Sequence, residues 1–194
     1  SPSGSTTPAL RMTVENNGNV TIEDGNLIVA NGHGIDFAAT ANSGSSELFD
    51  DYEEGLFTPE VRDATAGNAA GKELSSGRYT KIGRIVNISF AIGCNSKSGM
   101  TGGNGLSVSG LPYTVNTDTA GGGEPHGQIL TFINNLSSAD YAASIILRPN
   151  NNTTACELKY TAAGAVTSQG GVSLLVNNIA ANTYLTGSAT YETT

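Results

Sequence analysis

The sequence predicts an all-β protein, and three observations carry that expectation. Apolar residues come in short runs rich in Val, Ile, Leu and Tyr, which suit a pleated surface. Ser, Thr and Asn occupy 60 of 194 positions and Gly another 25, and these residues form helices poorly. No stretch keeps the helical apolar period of about 3.6, whereas several alternate residue by residue. With 38% apolar and 13% charged residues, the chain is also unlike the highly charged, weakly apolar sequences that stay disordered.

Residues 1–46 read as a stem of very short β segments, Asn19–Ile22, Asn26–Ala30 and Gly34–Ala38. The dipeptides Asn17-Gly18, Asp24-Gly25 and Asn31-Gly32 supply the turns, because they readily take positive φ. Segments this short cannot bury a core within one chain. Several copies around a common axis, as in a fibre, would supply the missing neighbours. Residues 47–71 read as an acidic collar, with Gly55 turning the chain: residues 47–63 hold seven of the 17 acids and one Arg.

From residue 72 to residue 194 the expected strands lengthen into a head. They are Arg78–Ile82, Arg84–Cys94, Gly105–Gly110, Gln128–Asn134, Tyr141–Arg148, Ala155–Thr161, Gly171–Asn177 and Thr183–Glu192. Val86, Ile88, Phe90 and Ile92 share one face of the second, with Asn87, Ser89 and Ala91 on the other. Alternation of this kind predicts an antiparallel, jelly-roll-like β-sandwich. Cys94 and Cys156 read as buried free thiols, with a disulfide as the alternative.

A net charge of −8 and scattered Lys and Arg argue against nucleic acid as a partner. No long apolar window and no basic, apolar start is present, so neither a membrane span nor a signal peptide is expected.

Several blocks resemble a module of phage tail-fibre and related virion proteins. They are Asn26 to Thr40 (NLIVANGHGIDFAAT), Ser46 to Gly55 (SELFDDYEEG), Phe57-Thr58-Pro59, Gly77 to Val86 (GRYTKIGRIV) and Val108 to Tyr113 (VSGLPY), and together they span roughly residues 18–113. The chain departs from the pattern at His33, where Lys is common. The resemblance implies a homotrimeric fibre tip in the virion, assembled in the bacterial cytoplasm. Its stem would join other virion proteins and its head would meet the host surface. Two alternatives stand beside receptor binding: a purely structural or decoration protein, and a glycan depolymerase.

Sugars are held by aromatic faces and by fixed amide and hydroxyl groups. Tyr113, Asn116 and His126 on one loop, and Asn150, Asn151 and Asn152 on another, are therefore the expected receptor or glycan contacts. The collar acids Asp50, Asp51, Glu53 and Glu54 are expected to meet the bases Arg78, Lys81 and Arg84, within or between chains. Three copies of His33 near an axis could hold a metal, but a single His lacks the repeated spacing of a dedicated site. No cofactor and no enzymatic activity are expected. The acids Asp118, Glu124 and Asp140 are isolated, and Glu124-Pro125-His126 is the only acid/His neighbourhood in the head.

Overall fold

The computed structural model describes residues 11–23, 26–30, 33–36, 48–49, 51–117, 128–129, 132–136, 145–160 and 171–193. Among them there is no α-helix, and the fold is mostly β in several antiparallel sheets. The chain divides into two compact units, Ser1–Asp50 and Asp51–Thr194.

In the first unit, β1 (Met12–Val14) pairs antiparallel with β2 (Val20–Ile22), and β3 (Ile35–Asp36) with β4 (Leu48–Phe49). The turn between β1 and β2 is built by Asn17, whose Oδ1 accepts from the Asn19 N–H at 2.8 Å, and by Gly18, whose N–H donates to the Glu15 carbonyl at 2.9 Å. Asn26–Ala30, expected as a strand, belongs to no ladder. The side chains of Met12, Val14, Val20, Leu27, Ile28 and Ile35 are exposed.

The second unit holds two sheets. One runs β11 (Phe132–Ile133), β15 (Tyr184–Glu192), β8 (Ile85–Ser96), β7 (Gly71–Ile82), β5 (Tyr52–Phe57). The other runs β10 (Gln128–Ile129), β12 (Ile145–Pro149), β13 (Ala155–Tyr160), β9 (Leu106–Ser109), β6 (Glu60–Asp63), with β14 (Val172–Ser173) beside β13. Buried residues of both sheets form a single apolar cluster, an arrangement consistent with a β-sandwich. The expected inward face of β8 is its buried face: Val86, Ile88, Phe90 and Ile92 are all buried, each contributing about 1.5–3 kcal/mol. Strands of the other sheet add Leu106, Val108, Leu147 and Leu158, and β15, next to β8, adds Leu185.

β7 and β8 form a long hairpin whose register, Ile82 opposite Ile85, leaves Gly83-Arg84 as a two-residue loop. Gly83 takes φ +56° at the first loop position, where a type II′ turn requires glycine. Four expectations change. The acidic segment is not a separate collar: Tyr52–Phe57 and Glu60–Asp63 are strands, one in each sheet. Exposed positions on an edge strand such as β5 tolerate acids as readily as a linker does. Gly55 does not turn the chain but lies in mid-strand opposite Tyr79, whose ring would sit 2.6 Å from a Cβ built there. Gln128–Asn134 divides between the two sheets, and Gly171–Asn177 gives a short strand followed by a 3-10 turn, Val176–Asn178.

The two cysteines are free and buried, one on β8 and one on β13. Burial pushes the Cys94 thiol up to about 11 and the Cys156 thiol up to about 12. Both are therefore inert packing groups at neutral pH.

Candidate functional site

The strand directions sort the loops of the second unit between two ends. Asp51 begins the unit beside the β7–β8 hairpin, its carbonyl accepting from the Gly83 N–H at 2.9 Å. β15 finishes at the same end, with Glu192 opposite Ile85 and the Thr193 N–H donating to the Arg84 carbonyl at 2.8 Å. This is the hairpin end. The other is the Asp63 end, where β6 finishes and β9 begins, Asp63 lying opposite Leu106.

Two of the expected receptor loops meet at the hairpin end. The Val115 N–H donates to the Thr153 carbonyl and the Asn152 N–H to the Val115 carbonyl, both at 2.9 Å, and the Thr117 hydroxyl donates to Asn152 Oδ1. Asn152 takes φ +57°, a left-handed conformation that Asn tolerates better than most residues. The Asn116 N–H donates to the Glu192 carbonyl at 2.7 Å, which ties this loop to the end of β15. Asn150 closes the second turn by accepting at its carbonyl from the Thr153 hydroxyl at 2.8 Å, while Asn151 and Asn152 are exposed. His126 lies outside the described residues.

Tyr113 is half-buried and engaged by its neighbours. Its hydroxyl and that of Tyr79 both donate to the Glu53 carboxylate, one to each oxygen. The two rings meet edge to face at 5.5 Å and 84°, and Lys81 Nζ stands 5.5 Å from the Tyr113 ring centre. Lys81, on the inward side of β7, is buried to 7% exposure and its ammonium is ion-paired with Asp51. The Tyr113 and Tyr79 hydroxyls hold Glu53 below the usual carboxylate range. Burial, reinforced by Glu53, raises Tyr113, and the hydrogen bond to Glu53 raises Tyr79.

Of the expected charge contacts, the structure thus brings Lys81 to Asp51 within one chain and engages Glu53 with tyrosines instead of a base. Arg78 and Arg84 are exposed and make no ion pair among the described residues. Glu54 and Arg78 line a shallow open groove of about 320 Å³ on the outer face of β5 and β7, with Leu56 and Thr80. Asp50 lies outside the described residues. His33 is exposed, and its backbone N–H donates to the Ala30 carbonyl at 3.0 Å. Among the described residues no three His, Cys, Asp or Glu side chains converge. Asp118, Glu124 and Asp140 fall outside them.

The sequence reading missed Asp63. It is buried, and its carboxylate accepts from the backbone N–H of Thr65 at 2.9 Å, Ala66 at 3.0 Å and Thr101 at 2.8 Å, and from Asn104 Nδ2 at 2.9 Å. These donors, the Ala66 N–H foremost, lower its pKa to about 2. The neighbouring loops are joined in the same way. Asn68 Nδ2 donates to the Gly99 carbonyl at 2.6 Å, and Lys97 Nζ donates to the Ile179 carbonyl at 2.6 Å and the Val176 carbonyl at 3.3 Å. The Asn177 N–H reaches the Gly102 carbonyl at 3.0 Å. A local signal existed, since Asp followed two residues later by Thr and four later by Gly suits an Asx turn. The partners near residue 101 could not be read from spacing. Neither a family model nor a curated protein matches this chain.

Proposed function

We propose that this chain is a phage virion appendage, a trimeric tail-fibre tip that holds the particle to a bacterial surface glycan or protein without chemical turnover. In this reading residues 1–46 are a stem that joins other virion proteins, and the two-sheet unit is a jelly-roll-like head. The observation that carries it is the exposure of large apolar side chains among the described residues of the first unit. Val14 is 68% exposed and Ile28 88%, beside strands of two or three residues. Such segments need further strands or another surface to pack against, and neighbouring copies would supply them. The sequence blocks that resemble tail-fibre modules support the same assembly. Weak contacts repeated over three heads and several fibres would give strong attachment by avidity.

Two measurements test this. Native mass measurement should return a trimer, and a monomer at micromolar concentration would remove the argument from the first unit. Purified protein should adhere to cells of a susceptible strain within a bacterial panel and leave their surface polysaccharide intact on prolonged incubation. Co-assembly with a virion component without cell binding would favour a structural role, and shortened polysaccharide would favour a depolymerase.

A further inference from the structure

We propose that the Asp63 end of the second unit is a preformed binding surface for an uncharged, hydroxyl-rich carbohydrate chain. The inference rests on the adhesion reading and assigns it a place and a chemistry. Position is the first argument. The chain enters the unit at the hairpin end, and residues 111–117 and 150–154 are laced there to each other and to the end of β15. The Asp63 end lies at the far side of the β7–β8 hairpin, about 35–40 Å of strand away.

Rigidity is the second argument. The Asp63 carboxylate, the Lys97 ammonium and the Asn68 amide are spent on holding residues 64–70, 97–105 and 174–179 in fixed relative positions. Loops ordered in advance lose little entropy when a ligand arrives.

Chemistry is the third. Residues 64–70, 98–105 and 174–183 contain no Asp, Glu, Lys, Arg or His. The flanking charges are engaged: Asp63 is buried, Lys97 donates to two carbonyls, and Arg62 and Lys72 both pair with Glu60 at 2.8 Å, Arg62 also donating to the Gly67 carbonyl. The exposed side chains there include Thr65, Ser98, Thr101 and Asn182, hydroxyls and an amide that both donate and accept. Sugar hydroxyls also do both. Among the described residues an anionic polymer would find here only cations that already have a partner.

The full chain would be applied to an immobilised panel of neutral and anionic glycans, and to cells of the strain it adheres to. Wild type should bind a neutral glycan, and Ser98→Glu/Thr101→Glu should lose at least tenfold on both glycan and cells. Ser188→Glu, which puts the same charge on an exposed mid-strand position, should bind as wild type does. Thr65→Lys supplies an independent change at the same surface should the double variant melt early. Binding confined to anionic glycans, or lost through Asn151→Glu at the hairpin end while Ser98→Glu/Thr101→Glu binds normally, would overturn the inference. Cell adhesion without any glycan binding would overturn the carbohydrate assignment and leave the adhesion reading standing. Absence of adhesion to any strain would defeat both.

Discussion

Asp63 accepts hydrogen bonds from three backbone N–H groups and one side-chain amide, contributed by two loops some forty residues apart in the chain. Its pKa falls from an ordinary 3.8 to about 2 in the folded state. A depressed folded pKa means that the ionised group stabilises the fold above its unfolded value, and that this contribution disappears as pH drops through the folded one. Asp63→Asn keeps one acceptor oxygen but turns an NH₂ toward N–H donors. The variant should melt several degrees lower at neutral pH, and its melting temperature should change less between about pH 4 and pH 2 than that of wild type. Thermal melts followed by circular dichroism across that range would decide. An undiminished slope would mean that Glu53 and Glu60, whose carboxyls are also depressed, carry the acid transition.

Among the elements, the pairing of β5 with β7 shows two glycines facing two aromatic rings in opposite senses. Gly55 lies under Tyr79 and Gly77 under Phe57, so each strand gives a bare backbone to the other strand's ring. Cross-strand pairs of this kind compensate glycine's own weakness in a strand. Gly77→Ala places a methyl in contact with the Phe57 ring and should cost about 1–3 kcal/mol, read from the urea midpoint at unchanged slope.

Strong alternation made β8 and β13 legible in the sequence, because each presents one face to the core and the other to polar surroundings. β5 was not legible. Its acids occupy exposed positions and its glycine serves a ring contributed by residue 79, a partner that local sequence cannot name. The same limit hid most of Asp63's role and the bond of the Tyr113 hydroxyl to Glu53.

At the scale of the whole molecule the two units differ in self-sufficiency. The second buries Leu, Ile and Val side chains completely, whereas the first leaves Met12, Val14, Val20, Leu27 and Ile28 exposed. Val14→Asp combined with Ile28→Asp should therefore lower the assembly mass seen by light scattering. The same variant should leave the melting of the Asp51–Thr194 unit within about 0.5 kcal/mol of wild type, since surface changes remote from a core alter stability little. A mass equal to that of wild type would place any self-association elsewhere.

Strand β15 is the last of the described strands in chain order, yet it lies inside its sheet, paired with β8 along all nine of its residues and with β11 on its other side. During translation β8 must therefore wait with an open edge until the ribosome has passed residue 192 and released that segment from its tunnel. A nascent chain in this state exposes backbone donors and apolar faces to other copies on the same polysome. Products interrupted before residue 184 would carry that open edge permanently, so they would yield aggregates and not shortened but folded units.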